Sequence, residues 1–194
     1  MKDKILMIVF VLVLGSILTA ALVAVNYVTT PVIEKNEEIA TKSSILRALN
    51  IHFDPESVEE TFAGNVEVRR RDGTTYYVTK EADIALPYAG SGLWGPIQGI
   101  IAIQPDFERL KGITIIRQEE TPGLGSRITE ADYLAQFQGK RFTEGLETVQ
   151  PGRSSRENQI DSITGATMTS DAFISIINEN LREVMPVIRQ GEGQ

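Results

Sequence analysis

The feature that most constrains this chain is an uncharged apolar run over residues 5–25, close to the N-terminus. A helix over this run would be about 31 Å long, which matches the hydrocarbon thickness of a bilayer. A cleaved signal peptide is the competing interpretation, because Lys2 and Lys4 precede the run and alanines lie near its end. The apolar cores of signal peptides are usually shorter, about 7–15 residues, so the run predicts a retained transmembrane anchor.

The charges on either side of the run predict its orientation. Lys2 and Lys4 lie immediately before it, whereas no Lys or Arg follows until Lys35. The positive-inside rule then places the N-terminus in the cytoplasm. We therefore expect residues 1–27 to be a cytoplasmic N-terminus and anchor, and residues 28–194 to be an extracytoplasmic domain.

Composition excludes several classes of function. The chain has no cysteine and one histidine, His52, so thiolate metal sites and multi-histidine metal sites are excluded. The formal net charge is −7 and the basic residues are scattered, which argues against nucleic-acid binding. Any redox chemistry must come from an organic cofactor, and we expect no bound metal.

Two hairpins are predicted after the anchor. Residues 65–70 and 74–79 alternate across Asp72-Gly73, a strong hairpin signal. Residues 97–103 and 110–117 are β-branched runs joined by a turn sequence, so they should pair as a second hairpin.

Three helices are predicted around these strands, over residues 31–49, 130–138 and 171–188. Pro31 suits the first turn of the first helix. The last helix carries apolar residues on one face: Phe173, Ile177, Leu181 and Val184. The fold class is therefore α+β: a single N-terminal transmembrane helix followed by an antiparallel sheet packed with helices.

The string DSITGATMTS, residues 161–170, lies immediately before the last predicted helix. Small residues, here Gly165 and Ala166, let a backbone approach a ligand, and a helix start favours a phosphate. Hydroxyls donate to phosphate oxygens, or one of them is esterified. The hydroxyl side chains of the string are Ser162, Thr164, Thr167, Thr169 and Ser170. The competing interpretation is an ordinary N-cap by Thr169 or Ser170.

Two glycine-containing blocks lie upstream, GLWGPI at residues 92–97 and EETPGLG at residues 119–125. In the second block we expect a tight turn, and Gly123 and Gly125 would let the backbone approach a flat ligand. Leu124 and Trp94 are suited to packing against a ring system. Adjacent residues on a strand point to opposite faces, so Glu119 and Glu120 should not form an acid–base pair.

The string DSITGAT resembles the flavinylation motif of bacterial proteins in which a flavin transferase attaches FMN to threonine through its phosphate. The resemblance implies a covalent FMN, as a phosphoester on Thr167. It also implies that Asp161, Thr164, Gly165 and Ala166 are determinants around the acceptor. Thr169 is the local rival as acceptor, but it lies beyond the Gly-Ala-Thr unit.

Nearly the whole chain resembles the G subunit of the Rnf complex and the C subunit of the sodium-pumping NADH:quinone reductase. The resemblance covers the anchor, the two glycine-containing blocks, the FQGK sequence at residues 137–140 and the DSITGAT string, in this order. In that family FMN is a one-electron relay and the ETPGLG loop lies beside the flavin. The resemblance therefore implies that Glu120, Thr121, Leu124 and Gly125 are flavin neighbours. The short chain suits the Rnf subunit, of the ferredoxin:NAD type. The residues 92–94 look more like the quinone-reductase version. We expect Rnf and keep the other as the alternative.

The resemblance implies a location in the bacterial cytoplasmic membrane, other membrane subunits as partners and a flavin transferase for maturation. The sequence shows no nucleophile–base–orienter set, so no catalytic residue is assigned. We therefore expect an electron-transfer subunit that is not catalytic alone. The alternative of another class is a membrane-tethered binding or sensor domain without flavin.

Overall fold

The structure, a computed structural model, describes residues 2–192. The outer ends of the two predicted domains, Met1 and Gln194, lie outside the described residues. Contacts divide the chain into two compact units, Met1–Ala40 and Thr41–Gln194. The division predicted from sequence after residue 27 stays a prediction.

The first unit is the long part of helix α1, which runs over Lys2–Ala48. Within residues 2–192, α1 is the only helix that is long and apolar enough to cross a membrane. The predicted separate helix beginning at Pro31 is wrong, because Pro31 lies inside α1. Proline removes one helical hydrogen bond. In the turn before it, the hydroxyls of Thr29 and Thr30 donate to the carbonyls of Val25 and Asn26 at 2.9 and 2.7 Å.

The second unit is built on a five-stranded antiparallel sheet in the order β1-β2-β3-β4-β5. The strands are β1 (Val66–Arg71), β2 (Thr74–Thr79), β3 (Ile84–Ser91), β4 (Pro96–Ile103) and β5 (Leu110–Arg117). The β1–β2 and β4–β5 hairpins were both predicted and are confirmed. Two further short strands, β6 (Glu147–Val149) and β7 (Gln159–Asp161), form a parallel pair that was not predicted.

Strand β3 was also missed, because Pro87 within it argues against a central strand. The register explains why proline is tolerated there. β2 pairs with β3 only at Tyr77–Ala85 and Val78–Ile84, so its ladder ends before Pro87 is reached. On the other side β3 pairs with β4 along its full length.

The helices of this unit are α2 (Val58–Asn65), α3 (Ala131–Ala135) and α4 (Thr167–Glu192), with a 3₁₀ turn over Gly125–Thr129. The predicted helix over residues 130–138 is shorter in the structure. In α4, Phe173, Ile177 and Leu181 are buried in the main core, as predicted from their spacing. The α+β fold class is confirmed.

Both faces of the sheet are covered. On β4, Ile97, Ile101 and Ile103 belong to the core shared with α4, whereas Ile100, also fully buried, lies outside that core. Because side chains alternate along a strand, Ile100 points to the other face. The last turns of α1 pack against the sheet as well, where the Thr114 hydroxyl of β5 donates to the Ser44 carbonyl at 3.2 Å.

Candidate functional site

Three separate segments meet at one end of the sheet. They are the hairpin tip between β3 and β4 (residues 92–95), the loop after β5 (residues 119–125) and the chain entering α4 (residues 162–169). Together they form a pocket of about 340 Å³. Its lining residues are Leu93, Trp94, Thr121, Leu124, Gly125, Gly165, Ala166, Thr167, Met168 and Thr169.

The start of α4 is fixed by hydrogen bonds within the DSITGAT string. The Ala166 N–H donates to the Ile163 carbonyl at 2.9 Å, and Gly165 in the turn between them has φ of +83°. The Ser170 hydroxyl accepts from the Ile163 N–H and donates to the Ala166 carbonyl, both at 3.1 Å. These bonds start the helix at Thr167.

This start differs from the sequence-based expectation, which placed the helix from residue 171. The interpretation of Thr169 or Ser170 as an N-cap is wrong, because both residues lie inside the first turn and are buried. Thr167 is instead the first helical residue, and it is exposed. The first N–H groups of an α-helix have no intrahelical acceptor, and the helix dipole is positive at this end. An anion beside Thr167 is therefore stabilised.

The predicted tight turn in the second block is confirmed. The Leu124 N–H donates to the Thr121 carbonyl at 3.1 Å, and Gly123 has φ of +73°, a conformation that favours glycine. The turn places Leu124 and Gly125 on the pocket wall, while Gly123 itself does not line the pocket.

Four apolar side chains of the pocket are open to solvent. Trp94 is 73% exposed, Met168 67%, Leu124 50% and Leu93 39%. Leu93 and Met168 were not among the residues expected from sequence. Their only sequence signal is that each is adjacent to a predicted residue. A large exposed apolar surface that borders a pocket is typical of a site for an apolar ligand or partner.

Glu120 lies behind the pocket and does not line it. The residue is 4% exposed, and its carboxylate accepts hydrogen bonds from the Thr169 hydroxyl at 2.8 Å and the Trp94 N–H at 3.1 Å. Glu119 is exposed and pairs with Arg117. The two adjacent carboxylates therefore have different surroundings, although both lie beyond the end of β5 and not on a strand.

The remaining predicted residues of the motif surround the pocket without lining it. Ser162 is buried, and its N–H donates to the Val149 carbonyl at 2.8 Å. Thr164 is exposed in the turn before Gly165. Neither hydroxyl is brought to the pocket, so their predicted role toward a phosphate stays a prediction.

Asp161 holds the preceding loop rather than the pocket. Its Oδ1 accepts from the N–H groups of Arg153 and Ser154 at 3.1 and 2.9 Å. Desolvation by burial raises the pKa of this carboxyl, but the hydrogen bonds from Ser154, Gly152 and Arg153 together outweigh it. The pKa of Asp161 in the folded protein is therefore below its ordinary value.

Residues 92–182 match the family described as the FMN-binding domain, and this range contains all three pocket segments. No group of three or more His, Cys, Asp or Glu side chains that would hold a metal occurs within the described chain, residues 2–192.

Curated relatives are C subunits of the Na(+)-translocating NADH-quinone reductase. The Pasteurella multocida (strain Pm70) protein is 36% identical over 124 residues, which is 59% of this chain and 47% of that protein. The Haemophilus ducreyi protein is 35% identical over 115 residues, 55% of this chain and 45% of that protein. The chain thus spans about half the length of the curated relatives it matches.

Solved structures agree in fold. The C subunit of the same reductase from Parabacteroides distasonis has a TM-score of 0.70 at 24% identity, covering 78% of this chain and 92% of that one. Shewanella oneidensis NqrC has a TM-score of 0.63 at 18% identity, covering 75% and 91%. This chain therefore contains a segment, residues 92–182, that matches the FMN-binding domain, and it is similar to C subunits of Na(+)-translocating NADH-quinone reductases.

Proposed function

We propose that this chain carries FMN as a phosphoester on Thr167 and relays electrons within a membrane-bound, ion-translocating oxidoreductase. The observation that carries the proposal is the position of Thr167. Its exposed side chain begins α4 at the edge of a pocket walled by exposed apolar side chains, inside a domain that matches the FMN-binding family. The relatives named above support the electron-transfer class.

The pocket fits an isoalloxazine ring in its chemistry. Trp94, Leu93, Leu124 and Met168 offer apolar surface that is exposed in this structure, and covering it with a flat aromatic ring is favourable. Gly125 and Gly165 keep the wall free of side chains. The carboxylate of Glu120, behind the pocket, has both oxygens hydrogen-bonded within the protein.

The start of α4 fits the phosphate. A phosphate ester on Thr167 would lie at the N-terminal end of a helix that runs over Thr167–Glu192, where N–H groups and the helix dipole favour negative charge. In forming the ester, the Thr167 oxygen bonds to phosphorus and loses its proton. The bond between that phosphorus and the leaving-group oxygen of an activated flavin nucleotide breaks, and this oxygen keeps the bonding electrons. The reaction therefore requires a separate transferase and its flavin donor.

The bound FMN would supply the redox chemistry, which is a property of the cofactor. The residues of this chain hold and shield it: Thr167 anchors the phosphate, and the apolar side chains exclude water from the ring. We assign no catalytic residue to the subunit.

We propose two candidates for the membrane complex that contains this chain, a quinone reductase and an Rnf complex. The quinone-reductase version has the support of the relatives' names. The Rnf version was the expectation from chain length. The purified complex decides between them: NADH-driven quinone reduction supports the first, and ferredoxin-driven NAD reduction supports the second.

The membrane part of the proposal rests on α1. A helix of this length and composition is suited to a single span, and Lys2 and Lys4 favour a cytoplasmic N-terminus, with the flavin domain outside the cytoplasm. Covalent attachment then prevents the loss of a small cofactor from that compartment.

The test is the colour of the full chain, expressed with a flavin transferase and purified from membranes in mild detergent. We expect absorbance near 450 nm that remains after denaturation and gel filtration. A colourless protein under these conditions would support the alternative, a tethered binding or sensor domain without flavin. A matched sample expressed without the transferase should be colourless and serves as the control.

A further inference from the structure

The carboxylate of Glu120 joins two of the three pocket segments. One oxygen, Oε1, accepts from the backbone N–H of Trp94 on the hairpin tip at 3.1 Å. The other, Oε2, accepts from the hydroxyl of Thr169 in the first turn of α4 at 2.8 Å. The residue is 4% exposed, and within residues 2–192 no cation forms an ion pair with it. A buried carboxylate is costly unless it is hydrogen-bonded, so these two bonds are strongly favoured.

The surrounding glycines leave room for this carboxylate. A Cβ atom on Gly125 would lie 2.9 Å from Glu120 Oε2 and 2.7 Å from Thr169 Oγ1. A Cβ atom on Gly92 would overlap Glu120 Oε1. Glu120 therefore helps to restrict both positions to glycine, together with Thr169 at Gly125 and with Ile97 and the Gly95 carbonyl at Gly92.

The hairpin tip is the exposed end of the β3–β4 hairpin. Its own turn is closed by the Gly92 N–H donating to the Gly95 carbonyl at 2.8 Å, and the Trp94 side chain is mostly exposed. The hydrogen bond from the Trp94 N–H to Glu120 therefore links the tip to the loop after β5.

We propose that Glu120 is a positioning residue: it fixes the hairpin tip that carries Trp94 relative to the helix turn that carries Thr167. This inference rests on the proposed function, in which those two segments hold the ring and the phosphate of one cofactor. Glu120 thereby sets the distance between the hairpin tip and the first turn of α4. It acts through Trp94 and Thr169 and does not itself face the pocket.

Three variants separate the position of Glu120 from its charge. Glu120→Gln keeps an acceptor for the Trp94 N–H and offers an amide donor to the Thr169 hydroxyl, which also accepts. Glu120→Ala removes both bonds. Thr169→Val keeps the shape of the side chain and removes only the hydroxyl. Asn180→Ala is the matched control, because Asn180 also joins α4 to β3, through the Ala89 carbonyl at 3.1 Å, but does not line the pocket.

The experiment has two readouts on the full chain in detergent. Trp94 is the only tryptophan, so its fluorescence anisotropy in protein made without flavin reports the hairpin tip alone. The extent of flavin labelling after a fixed short time of co-expression with a transferase reports the coupling to Thr167. We expect lower anisotropy and about tenfold less labelling in Glu120→Ala and Thr169→Val. Glu120→Gln should resemble the wild type in both readouts, and Asn180→Ala should change neither.

The outcomes separate this inference from the proposed function. Unchanged anisotropy in both Glu120→Ala and Thr169→Val would overturn the positioning role, whatever happens to labelling. Equal losses in Glu120→Gln and Glu120→Ala would also overturn it, because charge rather than position would then be responsible. If the wild type never takes up flavin but the anisotropy falls as expected, the positioning role stands and the proposed function fails.

Discussion

Gly165, in the turn before Thr167, should be sensitive to substitution for a reason that is purely conformational. Its φ of +83° lies in the region that L-residues avoid. The nearest atom to a Cβ built on it, Leu124 Cδ2, is 3.8 Å away, an ordinary contact. Gly165→Ala therefore meets no steric overlap with neighbours and costs only the backbone penalty, about 1–2 kcal/mol.

This penalty corresponds to a lowering of the unfolding midpoint by about 2–8 °C for a unit of this size. Thermal unfolding of the full chain in detergent, followed by circular dichroism, measures it. Because the turn leads directly into Thr167, we also expect reduced flavin labelling in Gly165→Ala. Gly165→Asn should recover much of the lost stability, because asparagine tolerates positive φ better than alanine does.

Gly125 provides the matched comparison. Its substitution is limited by space, since a Cβ atom would lie 2.7 Å from Thr169 Oγ1. Gly125→Asn should therefore be less stable than Gly125→Ala, the reverse of the order at Gly165. If Gly165→Ala unfolds with the wild type, or if asparagine is worse than alanine at position 165, the conformational reasoning is refuted.

Three other predictions concern pH, topology and assembly. The lowered pKa of Asp161 means that the folded state binds a proton there more weakly than the unfolded state does. Its contribution to stability is present above about pH 4 and is lost as pH falls through the folded pKa. Asp161→Asn should therefore unfold more easily at pH 7 and lose less stability than wild type on acidification below about pH 4, as measured by urea titration. A reporter fused after Gln194 should be active only outside the cytoplasm; cytoplasmic activity would overturn the orientation. In mild detergent the native protein should co-purify with multi-span membrane proteins; migration as a lone 21.4 kDa chain with its micelle would count against assembly.

Local signals in the sequence were sufficient to predict four of the five strands of the sheet. The Asp72-Gly73 turn and the β-branched runs of β4 and β5 predicted two hairpins, because both signals act between neighbouring residues. β3 was missed because tolerance of Pro87 depends on where the β2 ladder ends, which is a tertiary fact.

In the candidate site, too, some features were predicted from the sequence and others depend on tertiary contacts. The sequence blocks predicted which three segments form the pocket. Eight of the predicted residues line it: Trp94, Thr121, Leu124, Gly125, Gly165, Ala166, Thr167 and Thr169. The start of α4 was misplaced because it depends on the Ser170 hydroxyl bonding back to Ile163 and Ala166. The inward direction of Glu120 was also hidden, because its partners, Trp94 and Thr169, are distant in sequence.

Covalent attachment to Thr167 is the central claim, and in-gel flavin fluorescence after denaturation tests it most directly. A phosphoester survives denaturation, so protein matured with a transferase should give a fluorescent band whose intact mass includes FMN. Thr167→Ala removes the assigned oxygen and should abolish the band while the protein still folds, since the side chain is exposed at a helix start. Thr167→Ser keeps a hydroxyl and should be labelled in part, and Thr169→Val should be labelled slowly but detectably. A band that persists in Thr167→Ala and is lost in Thr169→Val would contradict the assignment of the acceptor. A wild-type protein that never acquires flavin would contradict the account as a whole.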